Sequence, residues 1–421
     1  MKKISANWKY PFWGQDEFIV GYVLSFIVFS GFCHTYIVNF LDNKIIIDIY
    51  YIYLLILPIE IYGIGRKKWY VRYWRIRQFI KINKLCIKEI DKEGKENFIE
   101  SVSASWIEDK ETDTIRFYKK GTLFDAKVNE LEERLESMLR KTLYKKIIQI
   151  TYTDYIFLKR PDRRIYLSKD YFEDKSCNTL MKLSERISYD ISKCSHGLTV
   201  GSTGSGKTFF INSKILFYAQ MNADIYICDP KNADLSLIKF IENFPEDNVA
   251  TSPSQICKIL RIVNKRMEGR YSKYFNSVEA FGKTYKDFGL NPIVVIIDEY
   301  SSFVRTSEQT LIKEAKEYIY SIIMKGRQIG IFIEFLLQRP DAEVLDGAIR
   351  DQLGCRVALG NMSKEGYNMV FGMSDVDYRN IVVKGGGYVM LNGILEKPIY
   401  FETPFFDEDI SFIEELSKFY N

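Results

Sequence analysis

The 421-residue chain has two histidines and seven cysteines, and no cysteine pair is spaced CxxC. A zinc site cannot be assembled from so few ligands, and thiols scattered at 33, 86, 177, 194, 228, 257 and 355 make no disulfide framework. Reduced thiols suit a soluble portion facing the cytoplasm. With 10 prolines and 25 glycines a collagen-like repeat is excluded, and 27% charged against 47% hydrophobic residues excludes a disordered chain. Internal repeats and low-complexity tracts are absent too. At roughly 100–150 residues per domain, two or three folded units are expected.

Charge of one sign is also scarce overall: 59 basic against 55 acidic residues leave +4. The excess is local. Between Arg66 and Lys81 lie seven basic residues and no acid, so the rest of the chain carries 4 minus 7, or −3.

Long apolar runs occur only near the start. Phe18 to Leu41 are 24 positions without a charged side chain, more than the roughly 20 that cross a bilayer. A weaker run, about 45–64, holds Asp48 and Glu60 near its ends and a cluster of tyrosines suited to interfaces. Residues 1–65 are therefore expected to form a transmembrane hairpin with spans of about 18–41 and 45–64. A buried core helix is the alternative for the second span. Lys2, Lys3 and Lys9 before the first span and the basic belt after the second put both ends on the cytoplasmic side. The belt, 66–84, reads as a juxtamembrane helix against anionic headgroups, with nucleic-acid contact as the sharper alternative.

Residues 85–170 read as a small α+β adaptor. Short strands (Phe98 to Ile107, Thr114 to Tyr118, Ile147 to Leu158) surround a helix carrying Val128, Leu131, Leu135, Met138 and Leu139 at helical spacing. Asp154, Arg163 and Arg164 read equally well as surface residues. From about 171 to 403, apolar strands alternate with helical segments, the signature of an α/β sheet. Expected strands are 197–200, 224–228, 293–297, 331–337, 356–359 and 388–391, and a long helix spans Glu308 to Lys325. Residues 404–421 read as an acidic tail.

Chemistry enters at Gly201-Ser202-Thr203-Gly204-Ser205-Gly206-Lys207-Thr208, a complete GxxxxGK[ST] loop between a strand and a helix. Its backbone N–H groups would converge on ATP phosphates. Lys207 would reach the β and γ phosphates, and the Thr208 hydroxyl would ligate Mg2+. A buried strand, Ile293 to Ile297, delivers Asp298 and Glu299 at its carboxyl end, where parallel sheets bind ligands. Asp298 is placed for the Mg2+ shell and Glu299 to orient and deprotonate water. Gln338 follows the strand 331–337 and can sense the γ phosphate. Arg327, at the end of the long helix, can supply charge to a neighbouring subunit, or merely complement the helix dipole.

Taken together, HGLTVGSTGSGKT, ICDPKNADL, RMEGRY, VVIIDEY, KGRQIGIFIEFLLQRP and GGGYVML resemble the motor of the FtsK/SpoIIIE family across roughly 195–400. The resemblance implies a RecA-like P-loop ATPase with Lys207 and Thr208 in Walker A, Asp298 and Glu299 in Walker B, Gln338 as sensor and Arg327 as a finger acting in trans. Asp229 and Lys231 match family positions near the nucleotide. LLQRP replaces the commoner ATQRP. The resemblance further implies a membrane-anchored homohexamer translocating DNA of either strandedness. Two spans and a short tail are similar to the coupling proteins of Gram-positive conjugative elements, which would add relaxase and secretion-channel partners and a multi-pass cell-membrane location. A type VII-like protein-secretion ATPase, a chromosome or plasmid segregation translocase and a nucleotide-regulated scaffold are the alternatives.

Overall fold

The computed structural model describes residues 4–5, 71–90, 96–141, 143–160, 162–169, 171–172, 180–340, 346–374, 376, 378–395, 397–407 and 409–420. Both expected membrane spans lie outside these residues. No helix among the described residues is long and apolar enough to cross a membrane. The chain divides into two compact units, Met1–Pro161 and Asp162–Asn421.

The second unit is built on an eight-stranded sheet. Its strands in chain order are β1 (Gly197–Gly201), β2 (Asp224–Cys228), β3 (Val249–Ala250), β4 (Ile293–Asp298), β5 (Ile331–Leu337), β6 (Cys355–Leu359), β7 (Gly386–Leu391) and β8 (Ile399–Glu402). In space they run β3-β2-β4-β5-β1-β6-β7-β8. Pairing is parallel from β3 to β6, then antiparallel to β7 and β8. The helices are α1 (Lys207–Gln220), α2 (Pro253–Tyr274), α3 (Tyr300–Thr306), α4 (Gln309–Ile329), α5 (Gly347–Gln352), α6 (Lys364–Phe371) and α7 (Phe412–Ser417).

Strands covered on both faces must be apolar throughout, and β4 and β5 are buried along their lengths. Side chains alternate between faces. Ile331, Ile333, Phe335 and Leu337 of β5 share one core with α2 and α4. Glu334 faces the other way and meets α1. Helix α2 starts at a capping box, Ser252 with Gln255, with Pro253 in its first turn.

Glu334 is the exception in that apolar text. It is buried, 2% exposed, and its Oε1 accepts hydrogen bonds from Lys214 Nζ and Tyr218 Oη of α1, both at 2.5 Å. Room for its carboxylate comes from Gly197 on the adjacent β1, where a Cβ would stand 2.0 Å from Glu334 Oε2.

In the first unit, a four-stranded antiparallel sheet runs in the order Ser103–Glu108, Thr112–Tyr118, Tyr152–Leu158, Leu143–Ile148. Ile115, Phe117, Tyr155 and Phe157 form its core with Leu131 and Leu135 from the flanking helical segment. The strands expected over 98–107 and 147–158 are each two strands, the first broken at the single buried Val102 and the second by the exposed turn 149–151. Two boundaries also differ. The helix over 71–82 buries Tyr73, Ile76, Phe79 and Ile80 in the adaptor core, so that half of the basic belt is an adaptor element rather than a separate segment. At the other end, the two-residue strand Tyr166–Leu167 pairs with Phe405–Phe406 inside the second unit, which puts the division near 161 instead of 170. The tail is likewise folded onto the second unit: Leu416 is fully buried, and α7 packs against α1. Asp154 is no surface residue. It is buried and held by Arg116 through two 2.7 Å bonds.

Breaking the central pair tests its weight. Lys214→Met leaves a buried carboxylate unpaired and is expected to cost roughly 3–5 kcal/mol in chemical denaturation. Adding Glu334→Leu should recover most of that loss. A single variant no less stable than the double would show that the pair carries no such weight.

Candidate functional site

The carboxyl ends of β1, β4 and β5 lie side by side and aim three connections at one cavity of about 810 Å³. From β1 comes the loop 202–206. Gly206 adopts φ +101°, and a Cβ there would meet the Gly385 backbone at 2.9 Å, so only glycine fits. That contact is reinforced by Gly385 N–H donating to the Ser205 carbonyl at 3.0 Å. Lys384 and Gly385, 180 residues downstream, thus back the phosphate cradle.

Of the residues expected to hold nucleotide, Ser202, Thr203, Gly204, Gly206, Lys207, Thr208 and Asp298 line the cavity. Gly201 and Ser205 support it from behind: the Gly201 carbonyl accepts from Lys207 Nζ at 3.3 Å, and Ser205 Oγ is buried. Glu299 and Gln338 line the same cavity.

Glu299 is buried and sits at φ +48°, a left-handed conformation that costs a non-glycine residue roughly 1–3 kcal/mol. Its amide donates to the Leu336 carbonyl of β5 at 2.9 Å, which ties the end of β4 to the tip of β5. Its carboxylate accepts from Ser301 Oγ and lies 3.9 Å from Lys207 Nζ and 3.4 Å from Lys231 Nζ. Two cations therefore share one acid where a γ phosphate would add more negative charge. Burial lowers the Lys207 pKa against the opposing pull of Glu299 and Asp298. Burial raises Asp298 to about 6, with Asp229 and Glu299 adding to the rise and Lys207 opposing it.

Asp229 proves structural: its carboxylate accepts from the amides of Lys231, Ala233 and Ser236, which folds the loop carrying Lys231 toward Glu299. The RMEGRY segment is structural as well. Arg270 donates to the Ile329 and Asn291 carbonyls, and Tyr271 to that of Lys325.

Arg327 is not brought to the cavity. It ends α4, just before β5 begins, at the opposite edge of the sheet, and donates to the Ser192 carbonyl at 2.9 Å. Reading the sequence missed Lys384 and took Arg164 for a surface residue, whereas Arg164 donates to the Lys384 carbonyl at 2.6 Å and pairs with Glu402. No local motif marks either residue.

No group of three His, Cys, Asp or Glu side chains suited to a metal occurs among the described residues. Mg2+ needs none, since it commonly takes one or two protein oxygens and fills its shell with water and phosphate. The Thr208 hydroxyl and the buried Asp298 carboxyl, both on the cavity wall, fit that role.

The FtsK/SpoIIIE family profile matches residues 177–283. The FtsK domain-containing protein YdcQ of Bacillus subtilis is 34% identical over 57% of this chain and 49% of its own length. The DNA translocase FtsK of Caldanaerobacter subterraneus is 28% identical over 54% of this chain and 33% of its own. The chain thus spans half or less of these curated relatives. Among solved structures, the pCW3 conjugation coupling protein TcpA, a monomer form with ATPγS, aligns over 80% of this chain and 96% of its own, at TM-score 0.51 and 19% identity. The resemblance read from the motifs is borne out: the second unit carries the match to the FtsK/SpoIIIE family profile, and the chain shares its fold with that coupling protein.

Glu299→Gln keeps the size of the side chain and removes the carboxylate. Retention of a fluorescent ATP analogue is expected to stay near wild type while phosphate release falls about 100-fold or more. Undiminished phosphate release would remove Glu299 from the chemistry.

Proposed function

We propose that this chain hydrolyses ATP to move DNA, a reading that proceeds from the FtsK/SpoIIIE-type ATPase domain in its second unit. The observation that carries it is Glu299, held in a strained conformation beside Lys207, Asp298 and Gln338 on one cavity wall. A binding-only protein gains nothing from a buried acid there. The cradle amides and Lys207 bind the phosphates. Thr208 and Asp298 would hold Mg2+, which would supply positive charge to offset that of the phosphates. Gln338 orients a water, and Glu299 takes its proton as the water attacks the γ phosphorus and the bond to the β–γ bridging oxygen breaks, ADP leaving with that oxygen.

DNA as the cargo is supported by the relatives named DNA translocase FtsK. Pore contacts with phosphates need little base specificity. A conjugative role beside a relaxase and a secretion channel is supported by the two-span architecture read from the sequence. Ile4 bridges Ala104, and the helix over 71–82 shares that domain's core, which is compatible with both lying on the same side of a membrane. Both ends then lie on the cytoplasmic side of the cell membrane. Arg327, exposed and remote from its own cavity, suits a finger reaching the nucleotide of the next subunit in a homohexamer.

Phosphate release by the purified full chain should rise several-fold with added DNA and not with secreted polypeptides. Stimulation by polypeptide alone would replace the DNA reading with a protein-secretion one. Arg327→Ala should abolish the stimulated rate, and mixing it with Lys207→Ala chains should restore part of it. Full activity of Arg327→Ala would take that residue out of the mechanism.

A further inference from the structure

The cavity does not end at the phosphate cradle. Besides Lys207 and Thr208 it is lined by apolar side chains, Leu237 and Phe240 together with Phe412 and Ile413 of α7. Several of these side chains stand in solvent: Phe240 is 74% exposed, Leu237 53% and Ile413 41%. Large apolar groups left uncovered at the mouth of one cavity mark a place for a flat apolar ligand.

The tail is held firmly enough to form a wall. Ser411 caps α7, Leu416 is fully buried, and the Tyr420 ring lies 4.9 Å from Phe244. Phe406 contacts Phe209, the residue after Thr208, and Phe412 itself. Asn212, one turn further along α1, also lines the cavity, and its amide oxygen is buried without a partner among the described residues. An exocyclic amine would satisfy it.

We propose that this apolar lining is the base subsite of the nucleotide, formed by Phe412 and Ile413 of the C-terminal segment together with Phe240. The occupant follows from continuity: a triphosphate seated on the cradle carries its base outward into the same cavity. The inference rests on the ATPase reading and adds that the tail is part of the nucleotide site. Base–aromatic contact tolerates any base, so the walls supply affinity and Asn212 the polar contact.

Equilibrium binding of ATP and of inorganic tripolyphosphate to the full chain, both with Mg2+, tests this. The Phe412→Ala/Ile413→Ala variant, and separately Phe240→Ala at an exposed position, should bind ATP about tenfold more weakly, a loss of about 1.4 kcal/mol. Both should hold tripolyphosphate within twofold of wild type, which also reports an intact cradle. ATP affinity within twofold of wild type in both variants overturns the proposal. So does a wild-type chain that binds tripolyphosphate as tightly as ATP, leaving the ATPase reading intact. A wild-type chain that retains neither ligand overturns that reading and the base subsite with it.

Discussion

A single buried ion pair, Lys214 with Glu334, joins the helix that starts at the phosphate cradle to the strand that ends at Gln338. Its position explains its cost. Glu334 stands on β5 between Gly197 of β1 and Ile296 of β4, so the pair sits beneath the three strands whose ends carry the cradle, Asp298 and Gln338. Two charges taken out of water repay their desolvation only when geometry and extra hydrogen bonds are good, and Tyr218 supplies one such bond. An apolar residue at 334 would remove both side-chain hydrogen bonds by which α1 is tied to β5 at this point. Cradle, acid and sensor are thereby set at fixed heights relative to one another.

Strand polarity then sorts everything else. Asp298, Glu299 and Gln338 lie at the carboxyl edge because β4 and β5 end there in parallel. Arg270, Tyr271 and Arg327 lie at the other edge, where α4 hands over to β5. The first two close that edge by satisfying carbonyls. Arg327 binds one carbonyl and is otherwise exposed, which leaves its charge free to serve a second molecule but not its own nucleotide.

How much of this was readable in advance depended on how local the cause was. The strands 224–228 and 331–337 were legible to the residue, because a strand covered on both faces is mostly apolar, with Asp224 at an end and Glu334 as the one interior exception. Walker A and Walker B were legible because phosphate chemistry demands fixed spacing. The long helix runs on past its expected end at Lys325 to Ile329, since Gly326 does not break it but lets it press on the Ile331 carbonyl, 2.4 Å from where a Cβ would stand. The belt misled for a related reason. Seven basic residues draw attention to the solvent side, whereas Tyr73, Ile76, Phe79 and Ile80 recur at helical spacing and form the core face. Lys384, Arg164 and Phe412 act on the cradle across some 40 to 205 residues of chain, and no single-sequence pattern reports such a meeting.

The same long-range meetings show why the ATPase domain has no clean end at 403. Arg164, near its start, binds the Lys384 carbonyl and Glu402, and Tyr166–Leu167 pairs with Phe405–Phe406. First and last segments of the unit thus clamp the turn before β7, and that turn is what touches Gly206. Lys384 and Gly385 thus contact the cradle at Ser205 and both end segments of the domain, at Arg164 and Thr403. Residues 404–420 are therefore a structural part of the nucleotide site's surroundings, and their acidic composition is secondary to the buried Leu416 and the aromatic contacts of Phe406, Phe412, Phe419 and Tyr420.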